Sequence, residues 1–225
     1  MCRSASCRPD NVAGKNGHLI LTSKRETYES WNYTTGAVTS MGKGQWWPAN
    51  GTFRACVAAK LPGHIGQRTA QGVWPAHWMM PDTPGYPKTW CDPDLGEMDI
   101  MEMINGQGVV HGTYHWQTTY PSKPCSYPVG HLQQSSSAQL GAKWNETFHE
   151  FAVERGMGHL VFAVDNVVIL NISTASLAPT PLFWNEPWYM ILNTAIGGPW
   201  PGEPTAETVF PIQHVIDYVR VSKLA

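Results

Sequence analysis

"GEMDIMEM", residues 96–103, sets Glu97, Asp99 and Glu102 inside one short apolar run. In an extended strand Glu97 and Asp99 share a face, whereas Glu102 falls on the opposite one. Three readings of the acids stay open on residue type alone: a solvated strand face, a calcium site, or a set of catalytic carboxyls. The last requires all three to face one way, and so requires one extra residue near Ile100 or Met101. A β-bulge supplies such a residue and re-aims the side chains that follow it. Met98 and Met103 then fall on the apolar side, and without the bulge Glu102 enters the packed face of the sheet unpaired.

Paired carboxyls at this spacing suit cleavage of a glycosidic bond, which needs a proton for the leaving oxygen and a nucleophile or activated water at the anomeric carbon. The carboxyls lie about 5 to 5.5 Å apart in the retaining mechanism and about 6.5 to 9.5 Å in the inverting one. Same-face neighbours on a strand are roughly 6.5 to 7 Å apart at Cα, so glutamates reach the shorter distance. Asp99 between them fixes a rotamer by hydrogen bonding and favours a retained proton on its neighbour.

Composition agrees with a loop-rich β protein. Of 225 residues only 14% are charged, against 21 glycines, 18 prolines and 11 tryptophans, and the net charge is −2. With no basic run to neutralise phosphates, nucleic acid is excluded as a partner. Tryptophans with a few acids suit the apolar faces and hydroxyls of sugar rings. No stretch reaches the roughly 18 apolar residues of a membrane span. The N-terminus "MCRSASCRPDNV" lacks the apolar core of a signal peptide, while sequons at Asn32, Asn50, Asn145 and Asn171 tilt toward a secreted glycoprotein. Cys91 and Cys125 flank the acidic strand and the hairpin after it, either as a bridge or as buried thiols.

Short strand-like runs punctuated by Gly, Pro and Asn fill the chain, among them "HLILTSK" (18–24), "GTFRACVAAKL" (51–61), "GVWPAHWMM" (72–80) and "HVIDYVRVSK" (214–223). "FAVDNVVIL" (162–170) reads as a hairpin turning at Asp165-Asn166. Nothing between strands is long enough for repeated crossover helices, which favours an all-β, two-sheet sandwich in a single domain over residues 1–225.

Beyond residue chemistry, "GEMDIMEM" resembles the E-x-D-x-x-E signature of glycoside hydrolase family 16, in its bulge-containing laminarinase-like (endo-1,3-β-glucanase) branch. "NVAGKNGHLILTS" (11–23), "AAKLPG" (58–63), "GVWPAHWMMP" (72–81), "GTYHW" (112–116), "FHEFAVE" (148–154), "WYMILNTAIGGPWPG" (188–202) and "VIDYVRV" (215–221) resemble the same branch in the same order. The resemblance implies a concanavalin-like β-jelly roll of two curved antiparallel sheets with a cleft on the concave face. It implies a retaining endo-β-1,3-glucanase, or 1,3(4)-glucanase, with Glu97 as nucleophile, Glu102 as general acid/base, Asp99 assisting and His115 beside them. Trp74, Trp78, Trp90, Trp116 and Trp200 are cleft candidates against the plainer reading of core packing; Arg54 and Asn193 are candidate sugar contacts, and His77 by parity points away from the tryptophans. No cofactor is expected beyond a structural calcium on the convex face. The expected partner is a β-glucan poly- or oligosaccharide and the expected state a secreted monomer. The branch usually carries an additional strand ahead of the "NV" segment, which this sequence leaves unaccounted for. Alternatives are a β-galactan hydrolase, a transglycosylase or a glucan-binding protein, although both glutamate positions are filled.

Overall fold

The structure is a computed structural model that describes residues 1–43, 52–65, 67–82, 96–117, 131–156, 158–173 and 187–224. Trp90, Cys91, Cys125 and the Asn50 sequon lie outside the described residues. The strands run in chain order β1 (Ser6–Cys7), β2 (Val12–Lys15), β3 (His18–Tyr28), β4 (Trp31–Thr35), β5 (Ala37–Thr39), β6 (Phe53–Lys60), β7 (Val73–Pro81) and β8 (Glu97–Glu102). There follow β9 (Val109–Gln117), β10 (His131–Gln139), β11 (His149–Gly156), β12 (His159–Val164), β13 (Val167–Ser173), β14 (Trp188–Ile196) and β15 (Ile212–Lys223). A six-stranded sheet has the order β10-β9-β8-β7-β14-β5, and a nine-stranded sheet the order β1-β4-β3-β15-β6-β11-β12-β13, with β2 paired to β3. Among the described residues, pairing is antiparallel except for β1 on β4 and the isolated bridge Arg3–Ile196. This is the jelly-roll sandwich expected from the sequence.

Alternation sorts side chains between the two faces of the six-stranded sheet. On β7, His77 and Met79 are fully buried between the sheets, whereas Trp74 and Trp78 are half-buried on the far side. The inter-sheet layer takes Met98, Met101 and Met103 from the acidic segment, Tyr114 and Trp116 from β9, and Val57, Phe151 and Phe162 from the opposing sheet. Each such large apolar side chain contributes about 1.5–3 kcal/mol of burial free energy. The Asp165-Asn166 hairpin forms as read: the two residues have φ of 49° and 65°, the left-handed pair a two-residue turn requires, and Asp and Asn tolerate it without glycine. Asp165 also braces its neighbours, accepting from Glu150 N at 2.9 Å, with Oδ2 2.7 Å from His149 Nδ1.

One polar feature sits in the middle of this apolar layer. His77 Nε2 lies 2.9 Å from His214 Nε2, the two rings stack at 4.9 Å, and both residues are completely buried. One ring donates to the other, so at least one must stay neutral, and burial disfavours charge on either. Burial, with the neighbouring imidazole second, holds His77 well below its ordinary value, and burial drives His214 down to about 3. Because an unfolded histidine protonates near pH 6.5, protons bind the unfolded chain preferentially as pH falls below that value. Stability present above about pH 6.5 is therefore lost progressively toward pH 3, and His214 alone accounts for about 2 kcal/mol between pH 7 and pH 5. The paired substitution His77→Phe with His214→Met is expected to flatten this acid loss. Urea midpoints at pH 7 and pH 5 check it, and an unchanged difference between the two pH values would refute the assignment.

Candidate active site

The bulge that the catalytic reading requires is present. On β7, Trp78 pairs with Asp99 and Ala76 with Glu102, so two residue steps on β7 are matched by three on β8. The same shift separates Asp99↔Thr113 from Glu102↔His111 on β9. Ile100 and Met101, the residues inside the shift, are both buried in the core. Glu97, Asp99 and Glu102 consequently share the face that carries Trp74, Ala76 and Trp78. Gly96 sets the strand's entry: its φ is 73°, and a Cβ there would lie 2.2 Å from the His115 carbonyl oxygen.

The acids form one electrostatic unit. Burial first, then the charge and hydrogen bond of Asp99 and the charge of Glu102, push Glu97 well above the ordinary carboxyl range. Burial and the charge of Asp99 do the same to Glu102, opposed by the hydrogen bond from Trp74, whose Nε1–H donates to Glu102 Oε1 at 2.9 Å. Carboxyls this close titrate as a group that shares protons. Asp99 is 2% exposed, and its Oδ2 lies 2.9 Å from Nε2 of His115. His115 Nδ1 in turn is 2.8 Å from His131 Nε2. The His115–Asp99 approach is a close contact without hydrogen-bond geometry, whereas the two imidazoles are joined by a hydrogen bond, and together they wall in Asp99 between the two glutamates.

Around the acids the aromatic candidates divide. Trp74 meets Trp200 edge-on at 5.4 Å, and Trp200, 42% exposed, meets His111 at 5.3 Å, which gives an open aromatic wall at the Glu102 end. Trp78 packs on Ile191 and donates Nε1–H to Asn193 Oδ1 at 2.7 Å. Trp116 is not a cleft residue. It follows His115 on β9, faces inward, and stacks with Tyr114 at 5.6 Å within the core. Arg54 is not one either: β6 belongs to the nine-stranded sheet, where Arg54 binds Glu154 at 2.6 Å and Glu150 at 2.9 Å. Asn193 lies on the cleft face, yet it is 3% exposed and both ends of its amide are occupied, by Trp78 and by the Met1 carbonyl at 3.0 Å. Its place is to hold Trp78, not to meet a sugar.

Sequence reasoning misses two residues beside the acids, His131 and Arg3, and leaves a third, His111, open. His131 stands on the edge strand β10, whose polar "HLQQSSSAQ" gives only a weak strand signal. His111 is ambiguous by spacing and faces the cleft through its register with Glu102. Arg3 comes from the chain start, and its guanidinium lies over the Trp74 ring, 5.1 Å from the centroid.

Among the described residues, Glu97, Asp99 and His115 bring ligand atoms within 4.8 Å of one another. This set does not fit calcium, which takes six to eight oxygens; the imidazole contributes nitrogen and already meets Asp99. The group therefore reads as a close cluster of acids against an imidazole, and it lies in the cleft, not on the convex face where calcium was expected.

Comparison with known proteins agrees with this geometry. Residues 8–220 match the model of the glycosyl hydrolases family 16. A β-glucanase of Rhodothermus marinus is 32% identical over 95% of this chain and 71% of its own length. A keratan-sulfate endo-1,4-β-galactosidase of Sphingobacterium multivorum is 31% identical over 85% of this chain and 40% of its own length. The X-ray structure of the laminarinase from Rhodothermus marinus superposes with a TM-score of 0.77 at 29% identity, covering 97% of this chain and 82% of that one. With the family match spanning nearly every residue and the bulged acidic strand in place, this chain belongs to the glycosyl hydrolases of family 16.

Proposed function

We propose that the protein is a retaining endo-β-1,3-glucanase, with action extending to β-1,4 linkages adjacent to β-1,3 ones. The observation that carries this reading is the bulge that turns Glu97, Asp99 and Glu102 onto one face beside Trp74 and Trp78. The similar β-glucanase and laminarinase support the glucan specificity. Glu97 attacks the anomeric carbon while the bond from that carbon to the leaving oxygen breaks. Glu102 gives its proton to that oxygen, and an α-glycosyl ester forms on Glu97. Glu102, now a carboxylate, takes a proton from water; the water oxygen displaces Glu97 and restores the β configuration.

The high proton affinity that burial and Asp99 confer on the group suits this sequence of steps, because Glu102 must be protonated when substrate arrives. Asp99, hydrogen-bonded to Glu97, orients it, and its charge raises the proton affinity of both glutamates. Trp200, exposed beside Trp74, offers a stacking face for a sugar ring, and no cofactor takes part. The glucan is an extracellular polymer, which accords with the sequons at Asn32 and Asn171, both exposed on the surface.

The test is reducing-end release from laminarin, lichenan and agarose, with the anomer of the first product followed by proton NMR. Rapid chain shortening of laminarin with initial β product is expected. Initial α product would sink the retaining mechanism, and cleavage of agarose alone would move the specificity to β-galactans, as the similarity to a galactosidase allows.

A further inference from the structure

The first seven residues run beside the acids and are tied down at several points. Cys2 and Cys7 form a disulfide. Ser6 and Cys7 pair with β4, Ser4 N donates to the Ile196 carbonyl at 2.9 Å, and the Met1 carbonyl accepts from Asn193. Between the cysteines Arg3 has φ 56°, a left-handed conformation that costs a residue with a Cβ about 1 kcal/mol or more. The strained turn sends the side chain across Gly198, where a Cβ would meet Arg3 Cγ at 3.4 Å, and onto the Trp74 ring. Trp74 is the residue that donates to Glu102. A guanidinium over an indole is a favourable contact even at an exposed site, and it restrains the ring beneath it.

We propose that the disulfide-closed segment Cys2–Cys7 is part of the active site and that Arg3 is a positioning residue, clamping the indole that holds Glu102 and placing a fixed positive charge beside the two glutamates. The inference rests on the glucanase reading for its kinetic consequences but not for its electrostatic ones. Facing the glutamates are Asp99 on β8, His111 and His115 on β9, His131 on β10, Tyr189 on β14, Arg3 and, toward Glu97, the Met1 amino group. Burial and neighbouring carboxylates all favour retained protons on Glu97 and Glu102, and Arg3 opposes them at both. A fixed cation there lets one glutamate ionise as nucleophile at a pH where the other still carries a proton. The disulfide joins the function because it closes the short loop that carries Arg3 in its strained conformation.

Removal of the cation raises the proton affinity of both glutamates, so both limbs of the pH profile of kcat/KM move to higher pH. The test compares wild type, Arg3→Gln, Arg3→Lys and the pair Cys2→Ser with Cys7→Ser. Carbon-13 NMR of glutamate-labelled protein follows the carboxyl titrations, and laminarin hydrolysis gives kcat/KM against pH. In Arg3→Gln the titrations of Glu97 and Glu102 are expected to rise, and kcat/KM on the acid limb to fall about tenfold. Arg3→Lys is expected to restore most of the profile, and the serine pair to reproduce Arg3→Gln. A folded Arg3→Gln protein whose titrations and profile superimpose on wild type overturns the proposal, as does lowered thermal stability with an unmoved profile. A serine pair that behaves like wild type removes the disulfide from it. If laminarin is not cleaved while the Arg3→Gln titrations still rise, the glucanase reading fails and the placement of Arg3 stands.

Discussion

Exchange of Glu97 for alanine is expected to lower kcat on laminarin by about 10⁴-fold or more, since the covalent route needs a carboxylate at that one position. The loss of a half-buried acid from a repulsive cluster carries no comparable folding penalty: burial, Asp99 and Glu102 all disfavour its charge in the native state. The variant should therefore melt no lower than wild type, which separates a chemical from a structural loss. The space vacated by the carboxylate admits a small anion. Added azide is expected to restore turnover and to yield an α-glycosyl azide from an activated β-glucoside, by single displacement at the anomeric carbon. Restored turnover with a β-glycosyl azide would reverse the roles of Glu97 and Glu102.

Exchange of Glu102 for alanine should lower kcat on laminarin by about 10³-fold, yet leave the first step nearly intact for an aryl β-glucoside whose leaving group needs no proton. The glycosyl-enzyme then accumulates, because no base activates water, and mass spectrometry of the quenched protein should find one sugar unit esterified to Glu97. Azide needs no base and is expected to release that unit as a β-glycosyl azide. The pH profile supplies a second check. In wild type, activity declines on the alkaline side as the shared proton leaves the pair, and on the acid side as the nucleophile is protonated. Without Glu102, the alkaline decline should vanish for the aryl substrate while the acid one remains. A variant that keeps both limbs would show that the alkaline limb belongs to another group.

Much of the candidate site is legible in the sequence because a strand's alternation is a hard geometric rule. The parity defect at Glu102 makes a bulge the condition for the three acids to act together, and the shift between Asp99 and Glu102 is that bulge. The same rule bears on Trp116. Once His115 is placed in the cleft, its neighbour must face the core, so alternation excludes Trp116 from the sugar site. Arg54 differs in kind. Its strand has the same pattern as a cleft strand, and only its pairing with β11 and β15 puts it in the other sheet. The edge strand β10 is hidden from local pattern because its glutamines and serines form a strand by completing the open edge of β9, a partner no local window contains.

What the sequence by itself determined, then, is the set of properties carried by near neighbours: which residues of a regular strand share a face, where a bulge has to lie for the three acids to form one site, and that Asp165-Asn166 suits a turn. The tertiary structure decided which strands meet. It alone brought Arg3 and the Met1 carbonyl to Trp74 and Asn193, and His214 to His77. The physical reason is that periodicity assigns a side chain to a face but not to a partner. Partners follow from the lowest free energy of the whole packed layer, in which groups far apart in the chain must satisfy one another's hydrogen bonds and charges.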